Sequence, residues 1–304
     1  MTFLSVLIAL LIERVFSAQR PQRRHGWFSA YCSGMSGIGF VQWLMTRPWG
    51  VVLAILPPLL LILWLQLLAA SLGSLVALLF GTLVLIYSLG PGELGEEAEG
   101  FIEARDRGDN DHAQAIAQGF CLSAVPNSEP RRSFAVARAV VVLAARRLIG
   151  PIFWFLLFGP VGAAAYRAVH LMAEHLQTRE CPNEMKRYSD ELRHVADWAP
   201  ARIAAAGYAV AGNFDAVAHS WRTFDYVASN GPLTEAEHLL AQTGLAALDT
   251  FPHDADDLES DEHGDILYST LIPPVVEDAL ALVWRTLTLW VGIIGGGTLI
   301  AWLA

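Results

Sequence analysis

The chain has 304 residues, of which 54% are hydrophobic and only 16% charged, and its mean hydropathy is +0.41. Soluble domains carry roughly 25% charged residues, so the balance excludes an ordinary soluble protein. A formal net charge of −10 repels phosphate and excludes nucleic acid as a natural partner.

Phe3 to Ile12 is apolar, but no basic segment precedes it, Glu13-Arg14 follows at once, and Phe16 spoils a small-x-small cleavage site. It reads as a retained helix that dips into or leans on the bilayer. Arg14, Arg20, Arg23, Arg24 and Arg47 then precede residues 51–90, VVLAILPPLLLILWLQLLAASLGSLVALLFGTLVLIYSLG. These are two uncharged apolar stretches of about twenty residues, matching a hydrocarbon layer of roughly 30 Å at about 1.5 Å per helical residue. Both are apolar on every side, as lipid requires. They predict a transmembrane helix pair over 51–90, with the basic stretch before it cytoplasmic.

Pro91 and Gly92 end the pair, and 91–149 reads as a cytoplasmic amphipathic segment. Glu93 to Asp111 is acid-rich, and 133–149 keeps Arg138, Arg146 and Arg147 on an apolar helix suited to a membrane surface. Pro151 to Ala165 falls short of a crossing unless Leu148 and Ile149 join it. That leaves open which side holds the membrane-adjacent polar helical region over 150–278. Residues 279–304 form a C-terminal transmembrane helix, where only Arg285 interrupts and can snorkel. Its Gly292 and Gly296 form a small-xxx-small pair. Strand signals are scarce, so the expected fold is all-α, a multi-pass integral membrane helical protein built as one domain over 1–304, with a polar helical region between spans.

Residues 184–202, EMKRYSDELRHVADWAPAR, place Met185, Tyr188, Leu192 and Val195 on one helix face and Arg187, Asp190, His194 and Asp197 on another. The helix is expected to stop before Pro200. A metal held by Asp190, His194 and Asp197 is weighed against a solvated face laced with ion pairs, and the solvated face is preferred. Asp197 and Arg202 flank the proline. Either they hold each other at a membrane boundary, or Arg202 grips a phosphate or carboxylate. The Gly159-to-Arg167 segment gives a close-packing surface ending in Tyr166-Arg167.

The acidic run Asp254–Asp265, with His253 and His263, lacks calcium-loop spacing and reads as solvated. The three cysteines, Cys32, Cys121 and Cys181, show no CxxC or Cys/His pattern, which predicts neither a disulfide framework nor structural zinc. Walker-type, G-x-S-x-G and H-E-x-x-H motifs do not occur.

An ordered set of short motifs runs along nearly the whole chain: Ile12-Glu13-Arg14, Tyr87-Ser88-Leu89-Gly90, Pro151-Ile152-Phe153-Trp154, Gly159-Pro160-Val161-Gly162-Ala163 with Tyr166-Arg167, Asp197-Trp198-Ala199-Pro200-Ala201-Arg202, Ser220-Trp221-Arg222 and Ser229-Asn230-Gly231. The set resembles the AmpE family of bacterial inner-membrane proteins, related to the CobD/CbiB adenosylcobinamide-phosphate synthases. The synthases' Gly-Asp-Pro…His-Pro element is absent here. Their Asn-x-x-Asp after Tyr-Arg is replaced by Val169-His170-Leu171-Met172, and Ser229-Asn230-Gly231 departs from Pro-Asn-x-Gly.

The resemblance therefore implies a regulatory or sensory protein of the bacterial inner membrane, linked to β-lactamase induction and cell-wall recycling. Glu13, Arg14, Tyr166, Arg167, Asp197, Arg202 and Asn230 become candidate ligand-binding residues, with Arg167, Asp197 and Arg202 suited to an anion. The implied partners are the lipid bilayer and a small anionic ligand or signalling protein. No metal or cofactor is expected. ATP and Mg²⁺ enter only under the alternative, an ATP-dependent amide-forming cobinamide-phosphate synthase.

Overall fold

A computed structural model of the chain describes residues 2–16, 30–31, 34, 50–89, 91–121, 125–177, 183–224, 233–248 and 275–303. Among these residues there is no strand, and the fold is all-α as the sequence predicts. In chain order the helices are α1 (Thr2–Phe16), α2 (Gly50–Leu72), α3 (Ser74–Ser88), α4 (Pro91–Asp106), α5 (Asn110–Phe120), α6 (Glu129–Ala144), α7 (Gly150–Phe158), α8 (Pro160–Gln177), α9 (Asn183–Ala211), α10 (Phe214–Arg222), α11 (Glu235–Ala246) and α12 (Val275–Leu303). A π turn, Ala145–Ile149, joins α6 to α7. Two compact units result, one of Met1–Gly90 with Arg147–Pro200, the other of Pro91–Arg146 with Ala201–Ala304.

Among the described residues, three helical runs are long and apolar enough to cross a membrane: Gly50–Leu72, Glu129–Phe158 and Val275–Ile300. Of the predicted pair, only α2 has that length. Helix α3 has 15 residues, about 22 Å at the α-helical rise, well short of the hydrocarbon layer. The stretch expected on the membrane surface, 133–149, instead continues through the π turn into α7 as part of a 30-residue run. The π turn sits directly before Pro151, where an N–H donor is missing, and the widened turn carries the helix past the proline.

Exposure separates these apolar runs. Only 17% of the α2 window is buried, whereas 67% of the Glu129–Phe158 window is. Leu60, Leu61, Trp64 and Leu67 of α2 stand exposed, as a lipid-facing surface would. Helix α6 is apolar because it is core.

In the first unit α8 packs on α2, α3 and α7, and α1 packs on α3. Val51, Ala54 and Ile55 of α2 meet Leu171, Met172 and Leu176 of α8 and Met185 of α9. Helix α2 holds Pro57 and Pro58 in its interior. Pro58 cannot donate to the Ala54 carbonyl one turn back, and the Tyr31 hydroxyl donates to it instead at 3.2 Å. Gly159, at φ +68°, makes the turn between α7 and α8.

In the second unit α4, α5, α11 and α12 pack around α6. Small residues let them close in: a Cβ on Gly244 would lie 2.8 Å from Val141. Buried Arg132 of α6 donates to Asn110 at 2.8 Å and Gln114 at 3.0 Å, one turn apart on α5. Arg146 donates to Glu237 Oε1 at 3.2 Å, while Glu237 Oε2 accepts from the Thr234 backbone N–H in the α11 capping box. One buried carboxylate thus serves a helix start and an ion pair. Arg105 of α4 pairs with Glu277 of α12 at 2.6 Å.

Candidate functional site

Tyr166 and His170 sit one turn apart on α8 and face Asp197 of α9. The Tyr166 hydroxyl donates to Asp197 Oδ1 at 2.6 Å, and His170 Nε2 lies 2.9 Å from the same oxygen. All three are buried, at 3%, 2% and 4% exposure. Burying a carboxylate away from water is costly unless donors replace the lost hydration, and the phenol and imidazole do so. An ionised Asp197 only accepts, so His170 then carries its proton on Nε2. The two rings also touch, with centroids 4.6 Å apart.

Two features of α7 hold this cluster. A Cβ at Gly150 would collide with the Tyr166 ring, so the glycine opens the space the phenol occupies. Trp154 Nε1 donates to the Ala196 carbonyl at 3.0 Å. That carbonyl is the one Pro200 would serve if it had an N–H. The sequence reading ended the helix before Pro200, but α9 runs unbroken over Asn183–Ala211 because the Trp154 indole takes the missing donor's place. The same bond anchors the residue next to Asp197. Trp154→Phe should cost about 1–2 kcal/mol by stranding the carbonyl, read as a lowered thermal midpoint at unchanged helix content.

The other candidate residues lie apart from this cluster or outside the description. Arg167 is half-buried on α8, next to Tyr166. Arg202 belongs to the second unit and donates to Glu235 at 3.2 Å. Glu13 and Arg14 lie in α1, and their side chains fall outside the described set, as do Asn230, Cys32, Cys181 and the whole Asp254–Asp265 run with His253 and His263. His170 was missed as a site residue. Its signal was the one-turn spacing from Tyr166, hidden because it stands alone in the apolar stretch Val169–Met172.

Met185 is buried in the first unit's core, with Tyr188 and Leu192 packed against it. Val195, predicted beside them, is 68% exposed, and Asp197, predicted on the solvated face, is buried instead. The buried lane of α9 follows Met185, Ser189 and Asp197. Asp190 accepts from Gln177 at 3.3 Å, and Arg187 pairs with Glu191 at 2.9 Å in solvent. Among the described residues no group of three or more His, Cys, Asp or Glu side chains is placed to hold a metal. Burial pushes the Cys121 thiol up to about 11, so it stays protonated and a poor nucleophile at neutral pH.

Chemically the cluster can hold a proton between Asp197 and His170 and tie α8 to α9 according to its charge. Comparison with known proteins agrees with the motif order. The model of the family described as "Regulatory signalling modulator protein AmpE" matches residues 1–246. Protein AmpE of Shigella flexneri is 23% identical over 229 residues, covering 73% of this chain and 78% of that protein. No solved structure matches the chain. With a family match over most of its length and helices fit to cross a membrane, this chain belongs to the AmpE family of regulatory signalling modulators.

Proposed function

We infer that the protein is a multi-pass modulator in the bacterial inner membrane that adjusts β-lactamase induction in response to an anionic product of cell-wall turnover. The observation that supports this reading most is the buried Tyr166–Asp197–His170 cluster. A signalling protein needs an element with two states of similar energy and a ligand that favours one of them. An ionisable carboxylate buried between two helices and held by one phenol and one imidazole is such an element. Arg167, next to the cluster in sequence, is the nearest fixed charge in sequence to attract an anion. The reading needs no nucleotide and no metal, in keeping with a match to the modulator family rather than to the synthases.

Tyr166→Phe tests it, since it removes one hydroxyl and keeps the ring. In cells whose own copy is deleted, the variant should change β-lactamase induction by a β-lactam several-fold relative to wild type. Its amount in the membrane fraction should stay the same. Unchanged induction at equal abundance would reduce the cluster to a structural clamp.

A further inference from the structure

From Leu148 to Ala165 the chain runs uncharged through LIGPIFWFLLFGPVGAAA, enough for about 27 Å of helix if it were straight. The fold halves that length. Gly159, at φ +68°, turns the chain between α7 and α8, and the two helices run back along each other. A Cβ at Gly150 would meet the Tyr166 ring, and one at Gly162 the Trp154 carbonyl. Helix α7 has 9 residues, about 13 Å, less than half of a hydrocarbon layer of roughly 30 Å. Arg147 and Arg167 flank the uncharged stretch, so this pairing carries both to the open end of the hairpin. At the closed end Leu157 and Phe158 are 57% and 62% exposed.

The depth of the closed end is read from α2. A Cβ at Gly159 would lie 3.4 Å from Gln66 Nε2, while Leu171, Met172 and Leu176, towards the other end of α8, meet Val51, Ala54 and Ile55. Helix α8 therefore runs antiparallel to α2, with the turn beside Gln66. Exposed leucines of α2 extend from Leu53 to Leu72, and Gln66 precedes the last of them by about 9 Å of helix. The turn thus lies within the apolar belt of α2 and not beyond its far end. Backbone in hydrocarbon must find its hydrogen bonds within the protein. Here the Gly159 N–H donates to the Phe155 carbonyl at 2.8 Å, the Gly159 carbonyl accepts from the Gly162 N–H at 3.0 Å, and Pro160 has no N–H to serve.

We propose that α7 and α8 form a re-entrant hairpin whose closed end, Leu157 to Gly159, is embedded in the acyl chains of the bilayer, with both of its ends on the side where α2 begins. Acyl chains are the occupant this surface fits. Leu157 and Phe158 offer no polar group, and Trp64 and Leu67, on either side of Gln66 in α2, are exposed in the same apolar belt. Arg147 and Arg167 then reach the headgroups, and with the basic residues before α2 they put both ends of the hairpin in the cytoplasm. Tyr166, at the open end, brings its cluster with Asp197 and His170 to the cytoplasmic boundary of the membrane. The hairpin rests on the multi-pass reading for its bilayer and on nothing in the regulatory role.

The test uses the full chain in nanodiscs of phosphatidylcholine and phosphatidylglycerol, with Cys32, Cys121 and Cys181 replaced by Ala and a nitroxide attached at Leu157→Cys. Leu157 is chosen because Phe158 stacks on Trp154. Dissolved oxygen should relax this label faster than a water-soluble nickel chelate does, as at Leu67→Cys in α2. The order should reverse at Arg187→Cys, which is exposed on α9. In cells, Gln177→Cys at the end of α8 and Arg47→Cys before α2 should both lose labelling by a membrane-impermeant maleimide in spheroplasts and regain it in inverted vesicles. Ser74→Cys, at the start of α3, should show the opposite pattern.

A label at Leu157→Cys that meets the nickel chelate first, or Gln177→Cys labelled from the same side as Ser74→Cys, would overturn the hairpin. The readings fail separately. If Leu67→Cys is also in water, the span itself is refuted and the hairpin with it, whereas a dry Leu67→Cys with a wet Leu157→Cys refutes the hairpin alone. Unaltered induction in Tyr166→Phe refutes the regulatory role and leaves the hairpin standing.

Discussion

Asp197→Ala will destabilise the protein by about 2–6 kcal/mol, the summed cost of leaving two buried hydrogen-bonding groups unserved. The side chain is 6% exposed and its partner His170 3%, so solvent does little to soften the loss. Removing the carboxylate strands the Tyr166 hydroxyl and His170 Nε2 together, since both rely on Oδ1. Asp197→Asn should cost far less, because the amide oxygen still accepts from the phenol. Thermal unfolding of the two variants in one detergent checks this. An equal loss in both would mean that the charge, rather than the hydrogen-bond acceptor, stabilises the α8–α9 pairing.

Gly162→Ala should be nearly as damaging, for a steric reason. A Cβ at Gly162 would be driven into the Trp154 carbonyl, with the Phe158 Cβ at 2.9 Å. The obstacle is backbone, which cannot rotate away, so α7 and α8 must separate. Overpacking of this kind costs about 1–3 kcal/mol. Separation also moves Trp154 off the Ala196 carbonyl, adding the loss of that bond. The expected result is a variant with native helix content by circular dichroism and a midpoint lowered at least as far as in Trp154→Phe. A smaller shift than in Trp154→Phe would show that the α7–α8 turn has slack.

The helical character and the membrane class were legible in the sequence, because both follow from quantities local to a segment. Residues 51–72 are apolar on every side whatever they pack against. Asp197 and Tyr166 also stood out, one beside a proline and the other in a Gly/Ala-rich helix. Their pairing did not, since the two lie 31 residues apart and no periodicity reports which helices meet.

The errors have the same origin. Helix α9 passes Pro200 because of a Trp154 that lies 42 residues from Ala196 in sequence, and a rule about the residue before proline has no access to that donor. The run 133–149 was read as a surface segment because Arg138, Arg146 and Arg147 suggested an interface. Tertiary packing gives Arg132 and Arg146 buried partners in Asn110, Gln114 and Glu237, which lets the rest of the run be core.

The sequence alone determined that the chain is helical and membrane-associated, and through its motif order that it resembles the AmpE family, because hydropathy and short motifs are properties of contiguous residues. Only the tertiary structure decided which apolar helix faces outward, where a proline is tolerated, and that Tyr166 and His170 meet at one oxygen of Asp197. Those outcomes depend on donors and acceptors supplied from distant parts of the chain, whose positions exist only once the helices have packed.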